Sequence, residues 1–300
     1  MGDRTGIEYL HATWSPLKGC ERESRGCKSC WAERQAARFC KPGEIFGGLT
    51  RNGRWTGEVK FYAHELVKPL RWSRPRRIGV CFMGDLFHKN ANWKHQAAVF
   101  AAMAIAQHHT FFVLTKRPWN INPFFARLAE EANKTETSPL QLCFEIAHHL
   151  TGDKKFFRWD TEFPGLALPL ENVWYGTSVE DQDTSAFRTA ALAEVQTPYL
   201  WLSVEPMLGP VVISHLDCMS WVVVGGESGP GARYMDPDWA RALRDDCARA
   251  QVPFFFKQMT HKGEIPADLL VRELPQSTEA MDTYDGKAER GEGDRHRTVH

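Results

Sequence analysis

Three cysteines, Cys20, Cys27 and Cys30, fall within eleven positions of the segment Gly19–Trp31 (GCERESRGCKSCW), spaced C-x6-C-x2-C. Thiolates are soft donors, and three so close together suit a soft-metal site. A four-iron cluster held by three cysteines keeps one iron without a protein ligand, and at that open corner a substrate or cofactor can bind directly. Zinc is the competing occupant. It needs a fourth donor, which His11 or Cys40 can supply. The charged filler Glu21–Arg25 places the loop on the surface, while Gly19 and Gly26, each just before a cysteine, relax the backbone so that amides can face the sulfurs. The other cysteines, Cys40, Cys81, Cys143, Cys218 and Cys247, are scattered and read as small buried hydrophobes.

Positioning such a loop requires a scaffold, and the chain supplies one in regular units. Apolar runs rich in Val, Ile and Phe occur at Ile78–Met83, Phe111–Thr115, Val173–Thr177, Tyr199–Ser203, Trp221–Val224 and Pro253–Lys257. Such continuous runs are the mark of strands buried on both faces. Helix-like stretches follow at Trp93–Gln107, Thr184–Val195 and Asp238–Ala250, the last opened by Asp236 and Pro237. With a first strand around Tyr9–Trp14 and a helix from about Cys30 to Phe39, the alternation predicts an α/β fold. Its parallel strands form a partial or complete (βα) barrel with right-handed crossovers. Residues 1–274 read as one barrel domain. Two insertions interrupt the rhythm, at about 41–74 and 119–170, the second with a helical segment near Leu140–Leu150. Residues 275–300 hold almost nothing apolar to bury and read as a disordered tail that does no chemistry.

A parallel barrel places its chemistry at the C-terminal ends of the strands. Polar groups stand there repeatedly: Gly84 and Asp85, then Lys116 and Arg117, Ser178 and Glu180, Glu205, the trio Gly225, Gly226 and Glu227, and finally Lys257 and Gln258. Lys116 and Arg117 are placed to meet a carboxylate or phosphate. His88, His148 and His149 are read as structural histidines. Arg51, Arg54, Trp55, Lys154, Lys155, Arg158 and Trp159 lie in the insertions and form a basic, stacking surface for a nucleotide or DNA.

Bulk properties constrain the partners. Across 300 residues, 37 Lys and Arg balance 37 Asp and Glu, so no global field draws the chain to nucleic acid or an anionic membrane, and any such contact is a local patch. The N-terminus has no signal-peptide layout, and no apolar run nears the roughly 18 residues of a membrane span. A cytoplasmic protein is expected.

The motifs as a series carry a resemblance: His11–Cys20 (HATWSPLKGC), the three cysteines followed by Trp31, Met83–His88 (MGDLFH), Thr115–Pro118 (TKRP), Val173–Glu180 (VWYGTSVE), Ser203–Pro210 (SVEPMLGP) and Val224–Pro230 (VGGESGP). From Ile7 to Pro275 the chain resembles the phage-associated three-cysteine-motif family of unassigned function. That family is similar to the radical S-adenosylmethionine enzymes and, more distantly, to the spore photoproduct lyases. The resemblance implies a [4Fe-4S] cluster on Cys20, Cys27 and Cys30 that donates an electron to S-adenosylmethionine and yields a 5′-deoxyadenosyl radical. It implies an external reductant such as a flavodoxin or ferredoxin. It also implies that Gly84 and Asp85 meet the methionine amino group and that Gly225, Gly226 and Glu227 admit an adenine or ribose edge, with Lys116, Ser178, Glu180 and Glu205 completing the cofactor site. The spacing departs from the superfamily's commonest pattern, C-x3-C-x2-C with an aromatic before the last cysteine: here Ser29 precedes Cys30 and Trp31 follows it. Two functions compete, a radical enzyme acting on a nucleotide or nucleic acid and a metal-stabilised nucleic-acid binder without catalysis.

Overall fold

The computed structural model describes residues 5–157 and 166–275. Seven of its strands follow the apolar runs: β1 (Ala12–Trp14), β2 (Arg77–Val80), β3 (Thr110–Thr115), β4 (Val173–Ser178), β5 (Leu200–Val204), β6 (Trp221–Gly225) and β7 (Phe254–Gln258). All six neighbouring pairs are parallel, and the order across the sheet is the order along the chain. That order has a geometric consequence. A doubly wound sheet reverses direction at a switch point and puts helices on both faces, whereas right-handed crossovers in one unbroken direction put every helix outside and curl the sheet. The result is the expected partial barrel, a half-barrel in which β1 and β7 form the two edges.

Strand periodicity divides the side chains between two cores. Outward residues such as Ile78, Val113, Tyr175, Leu202, Val224 and Phe256 pack against the helices in a core that also takes residues from as far along as Leu269. Inward residues build a second, aromatic cluster of Tyr9, Phe112, Trp174, Trp201, Trp221 and Phe255. Their rings meet mostly edge to face at centroid distances such as 5.1 Å (Tyr9–Trp221) and 5.7 Å (Phe112–Trp201), the arrangement that ring quadrupoles favour. This cluster plugs the interior. Above it, toward the C-terminal edge, the inward positions turn small and polar, with Ser178 and Ser203 paired in register across β4 and β5.

The helices are α1 (Trp31–Ala37), α2 (Trp93–Ile105), α3 (Ile121–Lys134), α4 (Pro139–Thr151), α5 (Gln182–Ala193) and α6 (Pro237–Ala250). Asn92, Ser138, Asp181 and Asp236 cap α2, α4, α5 and α6 with side-chain oxygens on free amides. Residues 119–170, expected as an insertion, contribute α3 and α4 to the outer layer, where α4 packs along α2. Residues 41–74 carry a hairpin, Thr50–Arg51 with Arg54–Trp55, that packs on α1, and a short strand, Lys60–Phe61, antiparallel to Leu17–Lys18. The tail from 276 to 300, and Arg158 and Trp159, lie outside the described residues. Among the described residues no helix is long and apolar enough to cross a membrane.

Candidate metal and cofactor site

β1 delivers the chain to the C-terminal edge, and the cysteine loop begins there. Pairing between the first two strands continues past their ends as a single bridge, Gly19 to Gly84. Both positions need glycine: Gly19 adopts φ +104°, and a Cβ on Gly84 would lie 2.9 Å from the Gly19 carbonyl oxygen. Cys20 follows at once, while Cys27 lies within the turn Arg25–Ser29 and Cys30 caps α1. All three are free thiols, close enough for each to feel the charge of another.

Each sulfur has a donor directed at it. The Arg117 guanidinium stands 3.9 Å from Cys20 Sγ, the Glu23 amide donates to Cys27 Sγ at 3.4 Å, and the Glu33 amide donates to Cys30 Sγ at 3.5 Å. Their acidities diverge. Burial and the nearby Asp85 carboxylate push the Cys20 thiol up to about 12, and burial also raises Cys30. Burial would raise Cys27 too, but the Lys116 ammonium and the amides of Glu23 and Ser24 outweigh it and draw this thiol below its ordinary value. Backbone amides do face two of the sulfurs, those of Glu23 and Glu33 on Cys27 and Cys30.

The strand ends hold the loop in place. After β2, Asp85 is buried and accepts from the Thr115 hydroxyl (2.7 Å), the Phe87 amide (3.0 Å) and Arg117 (2.9 Å). After β3, Arg117 continues from Asp85 to Glu23 at 2.8 Å, and Lys116 pairs with Glu180. After β4, Glu180 is wholly buried and also accepts from Ser24 of the loop (2.8 Å) and from Arg188 of α5 (2.9 Å). Burial works against its ionisation, yet Lys116 and Arg188 outweigh burial and keep the carboxyl below the usual carboxylate range. After β6, Glu227 binds Arg233, whose guanidinium reaches the Arg25 carbonyl of the loop at 2.9 Å. Gly26 is pressed against Glu180, so that an added Cβ would sit 2.5 Å from its Cγ.

The predicted residues therefore fall into two groups. Asp85, Lys116, Glu180 and Glu227 come together around the cysteine loop, but as its internal partners, with their charges already matched. Glu205 is separate from them: its carboxylate pairs with Lys257 at 2.7 Å and approaches Ser203 at 3.4 Å, with Gly225 beside it. Ser178 gives its carbonyl to Arg188, Gly226 donates to the Gln258 carbonyl at 2.8 Å, and Gln258 returns a bond to Gly226 at 2.9 Å. His88 is buried beside Glu21 at 3.9 Å, while His148 hydrogen-bonds the Phe157 carbonyl on the outer layer. Lys154 and Lys155 follow the end of α4, on that outer layer, whereas Arg51, Arg54 and Trp55 stand beside α1.

Ser24, Glu33 and Arg188 were not anticipated. One signal for Arg188 was present: it lies on the buried stripe of α5 with Thr184, Ser185, Thr189 and Leu192, where an arginine requires a buried partner.

Among the described residues no group of three or more His, Cys, Asp or Glu side chains could hold a metal ion. The fourth donors considered for zinc also lie elsewhere. His11 precedes β1, at the opposite edge, where its Nδ1 accepts from the Arg77 amide at 2.8 Å, and the Cys40 thiol donates to Ala37 beyond the far end of α1. Cys20, Cys27 and Cys30 are thus the soft donors from which a metal group at this edge would be built, and neither His11 nor Cys40 joins them.

One comparison identifies relatives: the family described as Protein of unknown function (DUF5131) matches residues 4–291. The chain belongs to that family. No curated protein and no solved structure matches it.

Proposed function

We propose that this DUF5131 protein is a radical S-adenosylmethionine enzyme whose cluster is held by Cys20, Cys27 and Cys30. The observation that carries the reading is the cysteine loop itself: three free thiols at the C-terminal edge of a half-barrel, each with a donor, and none accompanied by His11 or Cys40. When bound, a three-thiolate [4Fe-4S] group supplies one-electron reduction of the cofactor's sulfonium, giving methionine and a 5′-deoxyadenosyl radical that takes hydrogen from a substrate. The protein's share is electrostatic and positional. Arg117 donates toward Cys20, the Lys116 ammonium favours the Cys27 thiolate, and the ion pairs at the ends of β2, β3 and β4 fix the loop.

Glu205 and Lys257 form the charged rim pair that the loop does not engage. The ammonium and carboxylate of the methionyl group offer matching charges, so these two residues would hold that end of S-adenosylmethionine. The Asp85 carboxylate, already engaged by Thr115 and Arg117, serves the loop instead. An external one-electron donor of the flavodoxin or ferredoxin kind is required.

Anaerobic reconstitution tests the reading. The expected result is about four irons per chain, an EPR signal of the reduced protein that changes on adding S-adenosylmethionine, and formation of methionine and 5′-deoxyadenosine under dithionite. Tetrahedral zinc in the purified protein, or a fully loaded cluster that leaves S-adenosylmethionine intact, would overturn it.

A further inference from the structure

The face beside Cys30 has charges that nothing among the described residues neutralises. The hairpin Thr50–Trp55 turns through Asn52 and Gly53, both at positive φ, in the tight form whose twist matches its strands. That turn sets Arg51 directly opposite Arg54, so both exposed guanidinium groups emerge on one side. Like charges facing each other across a strand pair destabilise it, and among the described residues neither arginine has an acidic partner. A bound anion would remove the cost. Lys28 and Arg38, before and after α1, are likewise exposed and without ion pairs among the described residues, and the hairpin is joined to α1 by the bond from the Trp55 amide to Glu33 at 2.8 Å. The first residue of α1 adds an aromatic: Trp31, next to Cys30, is 49% exposed.

Exposed cations and an exposed indole on α1 and the hairpin that packs on it match a chain of phosphates that carries flat rings. A duplex keeps its bases stacked inside, and atoms to be modified in a barrel mouth must first leave that stack. We propose that the Thr50–Trp55 hairpin and α1 bind single-stranded nucleic acid, its phosphates on Lys28, Arg38, Arg51 and Arg54 and a base on Trp31. The proposal deepens the radical-enzyme reading by naming the class of molecule brought to the cysteine loop. Its binding test stands independently of cluster chemistry.

The test uses the full chain, before and after reconstitution, with a fluorescein-labelled mixed-sequence DNA strand of about 20 nucleotides, the RNA of the same sequence and the DNA duplex, read by anisotropy. Binding of either single strand supports the proposal, with log affinity falling against log salt at a slope near −3 for four phosphate contacts. Arg51→Ser with Arg54→Ser should weaken binding about tenfold at roughly 100 mM salt and halve that slope. Trp31→Ala should cost about tenfold again. The double hairpin variant should still cleave S-adenosylmethionine at the wild-type rate, so loss of cleavage everywhere would count against the enzyme reading and not against this one. No binding at about 50 mM salt, wild-type affinity in either variant, or preference for the duplex overturns the proposal. So does a double variant that binds strands normally but has lost electron delivery from an acidic donor protein.

Discussion

Replacing Gly26 by alanine tests how the cysteine loop is seated. The new Cβ would stand 2.5 Å from Glu180 Cγ and 2.6 Å from Oε1. Glu180 cannot yield, because it is wholly buried and held by Lys116, Ser24 and Arg188. The loop must therefore retreat by about 1 Å to reach ordinary carbon contact distance. Cys27 is the next residue, and its contacts with the Glu23 amide and the Ser24 hydroxyl, already 3.4 and 3.8 Å long, are the first to break. Overpacking of this kind costs about 1–3 kcal/mol, a fall in Tm of several degrees at most, so the barrel stays folded while metal uptake suffers. The assay is iron bound per chain after anaerobic reconstitution, with Tm and far-UV circular dichroism alongside. Gly209→Ala is the control, since an added Cβ there meets nothing within 4 Å. Wild-type iron and unchanged Tm in Gly26→Ala would refute the argument that this contact fixes the loop.

Asp85→Asn strips the counter-charge from buried Arg117, and urea unfolding should show a loss of about 3–5 kcal/mol; a loss under about 1 kcal/mol would mean that Glu21 and Glu23 suffice as its partners. Trp201→Ala removes an indole at the centre of the interior cluster and should cost about 3–5 kcal/mol in the same assay. His109 is buried, and burial with neighbouring His108 lowers its pKa to about 4 in the folded chain, against 6.5 as its ordinary value. Only the unfolded chain takes up the proton between those values, so stability is full above pH 6.5 and declines toward pH 4, by about 3 kcal/mol in all. His109→Gln should flatten that part of the pH–stability curve, and an unchanged slope would assign the acid sensitivity to other groups.

The strands were legible because parallel strands covered on both faces are apolar without a break: Phe111–Thr115 was expected and Thr110–Thr115 observed, Val173–Thr177 expected and Val173–Ser178 observed. Helix α3 was not anticipated, although Phe124, Leu128 and Ala132 mark its buried stripe. Pro118 and Pro123 look like breakers in the sequence, yet proline is tolerated in a helix's first turn, where Pro123 sits. The site was legible as a set of residue types and not as a set of pairings. Spacing located Asp85, Lys116 and Glu180 at strand ends, but that Lys116 belongs to Glu180, and Asp85 to Arg117, depends on side-chain directions at neighbouring strand tips. Partners such as Ser24 and Glu180, 156 positions apart, leave no local mark.

The rim of the half-barrel is divided by task. The tips of β2, β3, β4 and β6 anchor the cysteine loop, whereas Ser203 and Glu205 at the end of β5 and Lys257 of β7 stand outside that network. Substitutions at the ends of β5 and β7 can therefore reshape the mouth without loosening the cysteine loop. On the proposed radical-enzyme reading, one redox apparatus would thus be turned toward different molecules by altering those two strand ends alone.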